Sequence, residues 1–226
     1  MSNPYQLVVF DWEGTISDTL GLILHTVTAE ANALGFGSVE PAEAKKYVEL
    51  GLVHALKKLF PRLTLSQQEI LLQAIHRAMV SRPSEVCLIP GARELILQLQ
   101  EAHIDLAIAS NKGQQSLQRA LQITRLDDVF KVIRCAGQLP AKPCPQMLEE
   151  IMNVFGQNAQ STLMIGDSPT DIEMARQLHV PAIGIDFYNQ NAQALQAAGA
   201  LAVFNNYYDV AHFLCLPLTC TGSNQQ

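Results

Sequence analysis

Six side chains in this sequence have the types and spacing that chemistry would need: Asp11, Glu13, Ser110, Lys142, Asp167 and Asp171. The first two sit two positions apart at the end of an apolar run, VVFDWEGTISD (8–18). Carboxylates gathered in one place repel each other, and a divalent cation is the simplest means of keeping them ionised. An all-oxygen donor set with room for water suits magnesium better than zinc or copper. Magnesium, an ammonium and a hydroxyl together form a cradle for a phosphoryl group. One carboxylate then serves as nucleophile while another handles the proton.

Those residues meet only if the chain places them at one edge of a sheet, and the pattern of the sequence supports this. YQLVVF (5–10) reads as a short, fully buried strand ending at Asp11. Leu20, Ile23, Leu24, Val27, Ala31 and Leu34 then recur at helical spacing, with Gly35 as a stop. Glu40-Pro41 opens a short helix, LVHALKKLF (52–60) is helical until Pro61, and Ser66 with Glu69 forms a capping box for a helix through about Val80. Between residues 17 and 82 only helices are expected.

Beyond Pro90-Gly91 helices and strands alternate. Helices are expected over 92–102, 113–121, 145–155, Pro169 to about Leu178, and 190–198. Strands are expected over 104–110, near 130–135, and over 162–166, 181–185 and 200–204. Such alternation implies βαβ crossovers and a parallel sheet covered on both faces. The predicted fold is therefore a doubly wound α/β core, residues 1–16 and 83–226, interrupted by an all-helical insertion, residues 17–82. Open α/β sheets bind ligands at the carboxyl ends of their strands, where Asp11, Ser110 and Gly166-Asp167 all fall.

Bulk properties narrow the function. Apolar residues make up 48% and charged residues 16%, enough for a packed core and unlike a disordered chain. A net charge of −6 argues against a nucleic-acid surface but leaves a small anionic substrate open. Five scattered cysteines, without a Cys-x-x-Cys pair, suit reduced thiols in a cytoplasm; Cys144, beside Lys142, reads as packing rather than a nucleophile. MSNPYQ lacks signal-peptide character, and no apolar run reaches membrane-spanning length. A cytoplasmic protein with no membrane or nucleic-acid partner is expected, as a monomer or weak homodimer.

DWEGTISD (11–18), Ser110 after its apolar strand, KPCP (142–145) and GDSPTD (166–171) resemble, in order, the four motifs of the haloacid dehalogenase-like hydrolase superfamily. VELGLVHALKKLFP (48–61) and RCAGQLPAKPCPQMLEEI (134–151) look like its phosphoglycolate phosphatase-like branch. The resemblance implies a magnesium-dependent phosphatase acting on a small phosphorylated metabolite. It implies Asp11 as the nucleophile that forms an aspartyl-phosphate, and Glu13 as the acid and base. Ser110 and Lys142 would hold phosphate oxygens, with Gly14, Thr15 and Asn111 also lining the substrate. Asp11, the residue-13 carbonyl and Asp167 would bind magnesium, with Asp171 orienting metal waters or Lys142. The helical insertion would be a cap that closes over the substrate, specificity residues falling between Val48 and Ala55 and after Gly14.

Two positions depart from the family pattern. Residue 13 is usually Asp, and Glu carries its carboxylate about 1.5 Å further, in a kind of site where a 1 Å displacement costs about 10²-fold. Intrinsic acidity barely differs, at about 4.3 against 3.9, so geometry is what the change affects. Gly137-Gln138 stand where similar proteins often carry an acid. Two alternative functions follow: a phosphate- or partner-binding domain with weakened catalysis, and a carbon–halogen or carbon–phosphorus hydrolase of the same superfamily. Each residue also has a plainer role. Ser110 and Asn111 suit a helix cap, Asp171 suits a helix first turn, and Trp12 suits the core.

Overall fold

The computed structural model describes residues 3–39, 52–81 and 86–216. It divides into two compact units, one formed by residues 1–17 and 88–226 and the other by residues 18–87.

The larger unit is built on a six-stranded sheet, all parallel, in the order β3-β2-β1-β4-β5-β6. Its strands are β1 (Leu7–Phe10), β2 (Asp105–Ser110), β3 (Val132–Cys135), β4 (Thr162–Gly166), β5 (Ala182–Ile185) and β6 (Val203–Phe204). Every residue of β1, β4 and β5 is buried, which explains their unbroken apolar runs: strands with helices on both faces have no solvent side to mark with polar residues. The last strand is shorter than the predicted 200–204, and Leu201 within that range is exposed. β1 lies at the centre between β2 and β4, so the chain reverses its direction of travel across the sheet beside it. That is the point where a crevice opens beyond the strand ends.

Register fixes what meets there. Phe10 pairs with Ile108 on one side and Ile165 on the other, so Asp11 falls level with Ala109 and Gly166. The Asp11 N–H extends the ladder to the Ile165 carbonyl at 2.9 Å. One face of the sheet packs Leu7, Val9, Ala107 and Met164 against Met147, Leu148, Ile151, Ile172 and Ala175 of the crossover helices.

The regular elements of the second unit, among its described residues, are helices. They are α1 (Thr19–Ala33), α2 (Leu52–Leu59) and α3 (Leu65–Ser81). Asp18 caps α1, accepting the Gly21 N–H at 2.8 Å. Leu24, Val27, Ala31, Leu56, Leu71 and Ile75 form this unit's own core. The capping box of α3 is shifted by two residues from the expected Ser66–Glu69. Thr64 accepts the Gln67 N–H at 3.3 Å, and the Gln67 side chain accepts the Thr64 N–H at 2.9 Å. The helix expected at Glu40-Pro41 lies outside the described residues.

The remaining helices are α4 (Ala92–Glu101), α5 (Gln114–Thr124), α6 (Gln146–Phe155), α7 (Pro169–Gln177), α8 (Ala192–Ala198) and α9 (Tyr207–Phe213). α5 runs three residues beyond its expected end at 121, because Arg125 adopts the left-handed conformation that closes it. Its N-cap is Gly113, without a side-chain cap, so neither Ser110 nor Asn111 caps this helix.

Candidate active site

The segment after β1 curls at once. Trp12 is fully buried, and its carbonyl accepts the N–H groups of Ile16 at 3.0 Å and Ser17 at 2.8 Å. Gly14 takes φ +74°, and a Cβ built there would fall 2.0 Å from Asp167 Oδ2. Only glycine satisfies both the backbone and the close approach. This turn seats residues 13–15 against Asp167, and the Thr15 hydroxyl donates to Asp167 Oδ1 at 3.4 Å. The Thr15 side chain is fully buried, and its carbonyl accepts the hydroxyl of Tyr207 from α9.

Three loops complete the constellation. Ser110 ends β2, and its Oγ accepts the Lys112 N–H at 3.2 Å. Asn111 Oδ1 accepts the Lys142 N–H at 2.9 Å, pinning the loop that carries this lysine. The Lys142 ammonium then donates to Asp11 Oδ1 at 2.6 Å and Asp171 Oδ1 at 2.5 Å. Asp171 Oδ2 closes a capping box on α7 by accepting the Ser168 N–H at 3.1 Å. Its dipole-complementing place in the first turn and its ion pair with Lys142 therefore coexist. Gly166 makes room for it, since a Cβ there would meet Asp171 Cβ at 2.4 Å.

These elements enclose a cleft of about 420 Å³ lined by Asp11, Glu13, Ser110, Lys112, Lys142 and Asp167, with Asn111, Ser168, Thr170 and Asp171. Of the residues singled out in the sequence, Gly14 and Thr15 do not line the cleft; they lie behind it against Asp167. Gln138 is exposed and bonds Gln114 at 2.7 Å. His25, His76, His103, His179 and His212 are exposed. Two residues escaped the sequence reading. Lys112, two positions after Ser110, forms an ion pair with Glu13. Tyr207 is joined to Thr15 across 192 residues, a distance no local pattern spans.

The electrostatics follow from two buried acids, Asp11 and Asp171, and the half-buried Asp167 facing one buried ammonium. One oxygen from each of Asp11, Asp167 and Asp171 lies within 4.8 Å of the others, a spacing that suits a shared cation. Burial, then repulsion from Asp11 and Asp171, pushes Asp167 up to about 7, although Lys142 opposes this. Burial and Asp11 likewise raise Asp171 against the pull of Lys142. Burial acts to lower Lys142, but Asp171 and Asp11 outweigh it and the net shift is upward, so it stays charged. Burial, with Asp167 and Asp11 nearby, raises the Tyr207 phenol well above its ordinary value. The acid excess fits a divalent cation: without one, part of the cluster must take up protons.

A doubly wound α/β core with acids, a lysine and a serine at the carboxyl ends of its central strands defines a hydrolase-type site. A family profile described as haloacid dehalogenase-like hydrolase matches residues 8–185, and the chain belongs to that family. It is 27% identical over 195 residues to a phosphoglycolate phosphatase of Synechococcus elongatus, covering 85% of this chain and 89% of that one. It is 29% identical over 199 residues to a phosphoglycolate phosphatase of Mesorhizobium japonicum, covering 83% and 84%. A crystal structure of a family hydrolase from Deinococcus radiodurans, with bound phosphate and sodium, superposes with a TM-score of 0.71 at 20% identity over 95% of this chain and 96% of that one.

Proposed function

We propose that this protein is a magnesium-dependent phosphatase that hydrolyses a small phosphate monoester, of the phosphoglycolate kind, through an aspartyl-phosphate on Asp11. The observation that carries the reading is the seating of Lys142 between Asp11 and Asp171, with Asp167 on the same cluster. The similarity to phosphoglycolate phosphatases supports the substrate class.

Asp11 attacks phosphorus, and the bond to the leaving oxygen breaks as Glu13 delivers a proton to that oxygen. Glu13 then takes a proton from water, whose oxygen attacks the phosphorus of the aspartyl-phosphate; phosphate leaves and the Asp11 carboxylate is restored. Ser110 and Lys142 hold phosphate oxygens, and Lys142 also restrains the carboxylate of Asp11. Asp11, Asp167 and the Glu13 carbonyl are the groups that would hold magnesium, which supplies charge neutralisation at the phosphoryl oxygens. Asp171, with one oxygen on Lys142 and the other on the Ser168 N–H, acts by orienting the lysine. We place the protein in the cytoplasm; no helix among the described residues is long and apolar enough to cross a membrane.

The test is phosphate release from a panel of phosphorylated metabolites, phosphoglycolate included, with magnesium and with excess chelator, beside Asp11→Asn. Release that needs the cation and is lost in Asp11→Asn is expected. Equal release by Asp11→Asn rules out the nucleophile, and release that persists in chelator rules out the metal. The Glu13–Lys112 ion pair favours a second reading, a phosphate-binding domain with slowed turnover. Under that reading Glu13→Asp raises phosphate release steeply.

A further inference from the structure

We infer that Lys112 is a positioning residue that sets where the Glu13 carboxylate stands, and that it answers the extra methylene of Glu13; this rests on Glu13 being the acid and base of the proposed phosphatase. Glu13 and Lys112 belong to different strand ends, 99 residues apart in sequence, yet their charged groups meet in the cleft that holds Asp11 and Ser110. The Lys112 side chain is 29% exposed and that of Glu13 36% exposed, so both are drawn out of bulk water without being sealed from it.

The base of Lys112 is fixed. Its N–H is tied to Ser110 Oγ, and the next residue, Gly113, is the N-cap of α5. The neighbouring Asn111 holds the backbone of Lys142. One short turn, Ser110-Asn111-Lys112, thus tethers the lysine on Asp11 through its backbone and the carboxylate of Glu13 through its ammonium. Glu has one more rotatable bond than Asp, and a free Glu at the end of a turn would sample several carboxylate positions. An ammonium anchored by the phosphate-side loop selects among them. Lys112 acts through Glu13, whereas Lys142 contacts Asp11 directly.

A pair this exposed adds little to stability, so a structural role and a positioning role predict different results. The experiment is a double-mutant cycle of wild type, Lys112→Met, Glu13→Asp and the double variant, read as kcat and KM on the best ester from the panel with saturating magnesium. Lys112→Met is expected to lower kcat on the order of tenfold with KM changed less than about threefold. In the Glu13→Asp background the same change is expected to cost less than about threefold, because the shorter carboxylate stops about 1.5 Å nearer the backbone and no longer relies on the ammonium. Lys112→Arg restores part of kcat, and the melting temperature stays within about 2 °C throughout.

Equal losses in both backgrounds, or a loss carried by KM, overturn the inference in favour of Lys112 binding substrate directly. A second measurement does not depend on turnover: crystal structures of wild type and Lys112→Met with inorganic phosphate. A Glu13 carboxylate that shifts or splits in the variant supports the inference, and one left in place overturns it. If wild type and Asp11→Asn release phosphate equally, the phosphatase reading falls, and the crystallographic comparison still decides whether Lys112 positions Glu13.

Discussion

The Lys142 ammonium and Asp171 Oδ1 lie 2.5 Å apart with their side chains 3% and 0% exposed. Breaking such a pair leaves a charge stranded in the interior, which costs about 3–5 kcal/mol. Lys142→Met strands two, since Asp11 shares the same ammonium at 2.6 Å. The expected result is a fall of the urea midpoint corresponding to several kcal/mol, together with loss of phosphate release. Asp171→Asn leaves Lys142 one carboxylate partner, so it should lower stability by less while still lowering kcat. A Lys142→Met protein as stable as wild type would contradict the buried pair.

The acid cluster also sets a pH dependence. Asp167 in the metal-free fold stands at about 7 against an ordinary 3.8, with burial first and the neighbouring acids second as causes. Between those values the folded state holds a proton that the unfolded chain has released, so stability declines as pH rises toward 7. The raised Asp171 acts in the same direction. In chelator the melting temperature is expected to be higher near pH 5.5 than near pH 8. Saturating magnesium should shrink or reverse that difference, because a cation favours the ionised acids. Scanning fluorimetry at the two pH values decides it, and a metal-free melting temperature that climbs toward pH 8 would refute the sign.

Gly14 fits its place for two reasons, its φ of +74° and the 2.0 Å that would separate a Cβ from Asp167 Oδ2. Gly14→Ala must either move Asp167 or unwind the turn. The backbone strain alone costs about 1 kcal/mol, while displacing a metal-suited carboxylate costs function far more. Magnesium affinity, measured by calorimetry, is expected to fall at least tenfold with only a modest drop in melting temperature. Unchanged affinity would mean that Asp167 does not hold the cation.

Much of this arrangement was legible because strand ends and turns are local events. Asp11 and Asp167 each follow a fully buried strand, and parallel register then forces them together. The capping of α3 was misplaced because Thr64–Gln67 and Ser66–Glu69 fit the same pattern. The choice falls to where the preceding turn ends, at the Leu63 N–H bonded to the Phe60 carbonyl. Ser110 and Asn111 look like helix caps, yet their oxygens serve Lys112 and Lys142. The Glu13–Lys112 pair needed the three-dimensional meeting of two loops, although Lys112 stood only two residues from a serine already singled out.

Tyr207 is the contact that sequence reading had least chance of finding, and it makes the sharpest separate prediction. Its hydroxyl is fully buried and donates to the Thr15 carbonyl, on the turn that seats residues 13–15 against Asp167. Tyr207→Phe keeps the buried ring and removes only the donor. A buried carbonyl left without a partner costs about 1–3 kcal/mol, which should appear as a lower urea midpoint with an unchanged slope. Because the loosened turn carries Glu13, kcat should also fall several-fold with KM nearly constant. Tyr207→Ala, which opens a cavity as well, should be worse on stability by a further 2 kcal/mol or so. If Tyr207→Phe matches wild type in both midpoint and kcat, α9 has no part in holding the turn.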